Sequence, residues 1–140
     1  MATLARATRE ELEQAYADLA ANADFRWLRM PESGLSLVRG RAGGTGSLFN
    51  LGEVTMTRCA LKMADGTTGF AFILGRDERR AELAAVFDAV LQRTDDKAAQ
   101  ALQLVAEMGR SQAERREFKS RRAASTKVNF FAMTRGMSPE

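Results

Sequence analysis

Apolar positions along the chain follow two periods in turn. Thr8 and Glu11 form an S/T-x-x-E capping box. Leu12, Ala15, Tyr16, Leu19 and Ala20 then recur at helical spacing, which predicts a helix closing at Asn22-Ala23-Asp24. From Phe25 the period shortens to two. Residues 25–30 predict a strand with Phe25 and Trp27 on one face, Pro31-Glu-Ser-Gly34 a turn, and residues 35–41 a second strand entering a glycine-rich stretch, 42–46. A third strand is expected over 54–63, where Cys59, Leu61 and Met63 alternate, and a fourth over 68–74. Between them Ala64-Asp-Gly-Thr67 predicts a type I′ hairpin turn. Connections this short make an antiparallel meander, because parallel strands need longer crossovers.

The helical period then returns. Asp77 is placed to cap a helix whose Leu83, Val86, Phe87, Val90 and Leu91 form one stripe. A further helix follows Asp95, with Ala101, Leu104, Val105 and Met108 inward and Gly109 as its breaker. Ser111-Gln-Ala-Glu114 is a second capping box, opening a helix to about residue 124. Residues 128–133, Val-Asn-Phe-Phe-Ala-Met, predict a fifth strand or an extended arm. The expected fold is α+β: an antiparallel sheet of four or five strands covered by helices, in one domain over 1–140. Residues 1–109 form its body, and 110–140 a basic helix and C-terminal docking arm.

Composition narrows the chemistry. The 140 residues include one cysteine and no histidine, which excludes a Ser-His-Asp triad, a Cys-His dyad and a histidine or four-thiolate metal site. No metal site is expected. No signal peptide or membrane-spanning run is apparent, and a single free thiol suits the cytoplasm. The net charge of +3 is unevenly spread. Residues 1–109 carry 13 basic and 15 acidic groups, whereas 110–140 carry 8 and 3. The positive charge is a C-terminal property.

Several positions are candidates for binding. Arg39 and Arg41 flank Gly43, Gly44, Thr45 and Gly46, where converging backbone amides and two guanidinium groups suit an anion. The competing reading is a plain inter-strand loop. The segment is neither a Walker A loop nor a dinucleotide fingerprint. Glu53, Thr55 and Thr57 share one strand face and Arg58 lies on the other. Such a face orients a sugar, binds a metal together with outside ligands, or, more often, is simply solvated. Arg76 sits at a strand-to-helix junction, where it either helps hold an anion at the helix N-terminus or is simply solvated beside the Gly75 turn and the Asp77 cap. Cys59, among apolar neighbours, reads as a buried, inert thiol. The helix over 112–124 is polar nearly all round, with Arg115, Arg116, Lys119 and Arg122 about Phe118, and so is solvated or lies on a partner. Phe130, Phe131 and Met133 would be adhesive if exposed. A subunit docking on a larger assembly shows this pattern. The alternative is a small RNA-binding module using the same basic helix.

A family resemblance joins these features. Val38-Arg-Gly-Arg-Ala-Gly-Gly-Thr-Gly46, Phe49-Asn-Leu-Gly-Glu53, Thr55-Met-Thr-Arg-Cys59, Gly75-Arg-Asp77, Ala81-Glu-Leu-Ala84 and the tail from Val128 to Gly136 resemble the PhnG family of the bacterial carbon–phosphorus lyase system. Against that pattern, in which a longer first helix carries a Trp-Met pair, the sequence starts at Met1-Ala-Thr-Leu inside that helix, and Asn129 stands where an acid is expected. The resemblance implies an accessory subunit acting with PhnH, PhnI and PhnL. Together these displace adenine from ATP with methylphosphonate, giving alpha-D-ribose 1-methylphosphonate 5-triphosphate. It also implies contact with PhnJ and the ATPase-like PhnK. ATP would be a substrate of the complex, with no cofactor bound by this chain alone, no catalytic residue in it, and no membrane or nucleic-acid partner.

Overall fold

The computed structural model describes residues 1–19 and 24–127. The capping box forms as its spacing predicts: Glu11 N–H donates to Thr8 Oγ1 at 3.2 Å, and Thr8 N–H to Glu11 Oε2 at 2.9 Å. It opens helix α1, Arg9–Leu19, which buries Leu12, Ala15 and Leu19. The expected stop at 22–24 falls largely outside the described residues.

Three strands follow, not four: β1 Phe25–Arg41, β2 Leu48–Met63 and β3 Thr68–Leu74, in one antiparallel sheet of order β1-β2-β3. Pro31-Glu-Ser-Gly34 is not a turn. β1 runs through it, with register shifts between Trp27 and Arg29 and between Arg29 and Glu32 absorbing the irregularity. Proline is tolerated because β1 is an edge strand. Two cross-strand contacts hold the passage straight: Arg58 Nε donates to Glu32 Oε1 at 2.7 Å, and the hydroxyls of Ser33 and Thr57 lie 2.9 Å apart. β2 starts six residues earlier than its alternation suggests, because it pairs with β1 as far as Arg41↔Leu48. The proposed fifth strand over 128–133 lies outside the described residues.

The β2–β3 hairpin is where Asp-Gly places it, but its turn is not type I′. No non-glycine residue described has a positive φ, so Asp65 lacks the dihedral that type requires. Gly66, at φ 93°, instead follows a turn closed by its N–H to the Met63 carbonyl at 3.0 Å.

Helix α2, Glu78–Leu91, lies on the sheet, capped by Asp77, whose side chain accepts from Arg80 N–H. Leu83, Val86, Phe87 and Val90 are buried as predicted, and so are Ala81, Ala84, Ala85 and Ala89. Those small residues let the helix sit close to the sheet. A Cβ at Gly69 would meet the Ala85 carbonyl oxygen at 2.0 Å. Each large side chain fully buried there contributes about 1.5–3 kcal/mol.

Helix α3, Asp96–Ser125, is a single 30-residue element capped by Asp95. Gly109 does not break it, and Ser111 does not begin another. Packing on the body overrides glycine's modest helix penalty, and a Cβ at Gly109 would reach only the Thr3 side chain, at 3.9 Å. The basic segment is therefore the far half of α3 and not a separate helix. No helix among the described residues is long and apolar enough to cross a membrane.

Candidate functional site

The glycine-rich segment is the tip of a two-stranded ribbon. Beyond the pair Leu35↔Thr55, β1 and β2 continue without β3 or helix cover to Arg41↔Leu48. The tip closes on itself: Gly46 N–H donates to the Ala42 carbonyl at 2.9 Å, and Arg41 Nη1 to the Gly46 carbonyl at 3.0 Å. Gly43 and Gly44 take φ of 59° and 81°, which side-chain-bearing residues rarely adopt. Thr45 follows them in the exposed loop. Arg39 is exposed opposite Asn50, and Glu53 opposite Leu37.

The root of the ribbon is organised by Thr57, which is fully buried. Its hydroxyl donates to the Gly75 carbonyl at 2.6 Å and accepts from Asp77 N–H at 3.2 Å. Gly75, at φ 91°, turns the chain and donates its N–H to the Thr55 carbonyl at 2.9 Å. Thr57 is thus a structural tie between the sheet and the α2 N-terminus, not part of a solvated polar face. Arg76 is exposed beside it.

The anion candidates do not form one site. Strand geometry at about 3.3 Å per residue puts Arg39 about 13 Å and Arg41 about 20 Å along the ribbon from the root where Arg76 sits. Arg58 is committed to Glu32, which Arg29 also approaches at 3.6 Å. Cys59 is buried, and burial pushes its thiol up to about 11, far from a reactive thiolate. Among the described residues no group of three or more Cys, Asp and Glu side chains is arranged to hold a metal ion.

The predicted interface residues of α3 do share a face. At about 100° per residue, Arg115, Arg116, Phe118, Lys119 and Arg122 fall within an arc of about 160°. Glu114 and Glu117 fall outside it, and Glu117 pairs with Arg121 at 3.1 Å. Phe118 is 65% exposed. Arg115 is only partly free, since its Nη1 donates to Glu11 Oε1 at 2.7 Å. Phe130, Phe131 and Met133 lie outside the described residues.

Ribbon and helix leave the body at the same end. α3 starts beside the β2–β3 hairpin, where Arg93 bridges Asp65 and Asp95. By Gln112 it has reached the N-terminal segment, whose Thr3 carbonyl accepts from Gln112 Nε2 at 3.0 Å. That segment in turn meets the start of α2, through Arg80 Nη2 to the Ala5 carbonyl at 2.7 Å. Residues 113–125, all exposed, then run on for about 20 Å.

A second surface was missed by sequence reasoning. The sheet face away from α2 presents Phe70, Phe72 and Leu74 to solvent. A pocket of about 180 Å³ there is lined by Gly34, Leu35, Ser36, Met56, Arg58 and Phe72. The signal was present in β3, which is apolar on both faces: Ala71 and Ile73 inward, Phe70, Phe72 and Leu74 outward. A strand covered on one side alone carries polar residues on the other.

The model of a family described as "Phosphonate metabolism protein PhnG" matches residues 1–136. The chain is 40% identical over 136 residues to the alpha-D-ribose 1-methylphosphonate 5-triphosphate synthase subunit PhnG of Rhizobium meliloti (strain 1021), covering 97% of this chain and 86% of that protein.

Proposed function

The chain belongs to the PhnG family, and from that premise we propose that it is an accessory subunit of an alpha-D-ribose 1-methylphosphonate 5-triphosphate synthase. The observation that carries this reading is the near-complete alignment with a named subunit of that synthase. In the proposed assembly it acts with PhnH, PhnI and PhnL as adenine is displaced from ATP by methylphosphonate, and it contacts PhnJ and PhnK. ATP is a substrate of the complex, and this chain holds no cofactor of its own.

The layout of the molecule supports an accessory role. Displacing a base at an anomeric carbon needs charge placed at one centre. Here the exposed cations are divided between the ribbon tip, its root and α3. The large unpartnered features are surfaces: the ribbon, the outer sheet face and the far half of α3.

The test is reconstitution. The partner subunits are co-expressed with and without this chain, and adenine release from ATP and methylphosphonate is measured. Release that depends on the chain is expected, and release at full rate without it overturns the proposal. Deleting residues 126–140 tests the docking role of the tail. Loss of co-purification is expected, and an unchanged complex removes that role.

A further inference from the structure

The sheet is left open along one stretch. β3 ends at Leu74, paired with Met56, whereas β2 extends back to Leu48. The Thr55 carbonyl points to the β3 side, since it accepts from Gly75 N–H at 2.9 Å. Backbone groups alternate sides along a strand, so the N–H and C=O of Glu53 also face that side. They lie past the end of β3, where no strand follows.

β3 and the first part of β1 are guarded. On β3, Phe70 N–H donates to Asp88 Oδ2 at 3.1 Å, and the Thr68 carbonyl accepts from Gln92 Nε2 at 2.9 Å. The outer edge of β1 carries Pro31 and two register shifts before Glu32; a third shift, where Leu51 is the extra residue between Val38↔Gly52 and Arg39↔Asn50, bends the ribbon itself but leaves the outward groups of Glu53 in place. Pro31 and the two shifts beside it are recognised ways of preventing strand addition. Residues 48–53 are exposed, and among the described residues no side chain or loop bonds to their outer edge.

The ribbon is also apolar on the surface it offers, with Leu35, Leu37, Leu48, Phe49 and Leu51 all exposed. A two-stranded ribbon is marginal alone in water, and a third strand stabilises it. Basic groups outnumber acidic ones around it. Arg39, Arg76, Arg116, Lys119 and Arg122 lie at this end of the molecule, and among the described residues none is in an ion pair. Glu53 is the only acid between residues 35 and 55.

We propose that the free edge of β2 over residues 48–54 takes up one extended, acid-flanked strand from another subunit of the synthase. The added strand continues the line of β3. Main-chain bonds supply its affinity, and the basic surroundings select its flanks. The inference rests on the reading of this chain as a subunit of that assembly.

Two variants isolate the backbone contribution. Glu53→Pro removes the outward N–H and spares the bonds to β1, as edge strands allow. Glu53→Ala removes the carboxylate and keeps the N–H. Each is co-expressed with the partner subunits and co-purified, with wild type alongside. Retention of Glu53→Ala within about two-fold of wild type, with Glu53→Pro reduced about ten-fold or more, is expected. Equal retention of both overturns the inference, while failure of wild type to co-purify overturns the subunit reading instead.

Hydrogen exchange of the wild-type chain does not depend on the folding of either variant. The amide of Glu53 should exchange freely in the isolated chain and slowly in the complex. Slow exchange in the isolated chain, abolished by deleting residues 128–140, would assign the edge to the chain's own tail. Slow exchange that appears only with self-association would assign it to a second copy. Either result overturns the proposal.

Discussion

The Glu11 carboxylate joins two helices: one oxygen accepts Thr8 N–H at 2.9 Å and closes the α1 cap, and the other accepts Arg115 Nη1 at 2.7 Å from α3. A local capping motif is thereby also a tertiary contact. It fixes where α3 leaves the body, and so the direction of its projecting half. Burial pushes the Glu11 carboxyl up, but the Arg115 guanidinium and the Thr8 N–H outweigh it and hold the group below the usual carboxylate range. Because the folded-state pKa is lowered, the contribution is complete above the unfolded value near 4.5 and is lost as pH falls through the folded value. Glu11→Gln should cost about 1 kcal/mol at neutral pH. Urea titrations should show the two stability curves converging at acid pH. A constant offset down to pH 2 would mean the pair contributes nothing beyond the cap.

Thr57 gives a sharper loss. Its hydroxyl serves the Gly75 carbonyl, Asp77 N–H and Ser33 together, in a fully buried position. Thr57→Val keeps the shape and strands those groups, which should destabilise the fold by about 2–3 kcal/mol. Thr57→Ser keeps the hydroxyl and loses one methyl, at about 1 kcal/mol. Chemical denaturation distinguishes them, and equal losses for the two would show that packing, not hydrogen bonding, dominates the site.

Gly69 is the closest approach of sheet to helix. With the Ala85 carbonyl oxygen 2.0 Å and the Ala89 Cβ 3.0 Å from where a Cβ would stand, Gly69→Ala must move α2 bodily. Overpacking of this kind costs about 3 kcal/mol. The melting temperature should fall by about 10 °C or more for a domain of this size. A shift under a few degrees would mean that the helix sits more loosely than its alanine face implies.

Short-range patterns were legible where one physical cause dominates. The Thr8–Glu11 box, the Asp77 cap and the Cys59-Leu61-Met63 alternation are each decided within a few residues. The failures share a different cause. Pro31 and Gly109 are breakers by local propensity, and both were overridden by packing that no local window contains: Glu32 with Arg58, and the N-terminal segment with α3. The extra length of β2 was likewise invisible, because its polar Asn50-Leu-Gly-Glu53 stretch is strand only through pairing with β1. Of the candidate site, the basic surround of Phe118 was legible from composition, whereas the shared face of Arg115, Phe118, Lys119 and Arg122 comes with the continuous helix α3. The separation of Arg76 from Arg39 did not, since it depends on how far β2 runs beyond β3.

That overrun separates stability from assembly, and the separation is measurable. None of the buried core residues lies between Ser36 and Val54, which pair directly across the ribbon. Replacing residues 37–53 by Asn-Gly joins that pair through a two-residue hairpin loop of favoured type. The trimmed chain loses four large exposed apolar side chains, Leu37, Leu48, Phe49 and Leu51, and keeps the hydrogen bonds of Thr57. Its melting temperature should stay within about 4 °C of wild type, the change that about 1 kcal/mol produces. Co-purification with the synthase subunits should nevertheless collapse, and adenine release with it. If the trimmed chain assembles normally, the ribbon is dispensable and the outer sheet face around Phe72 becomes the surface to mutate next. If it fails to fold, β1 and β2 depend on the ribbon for their register, and their alignment is not set by the helices beneath.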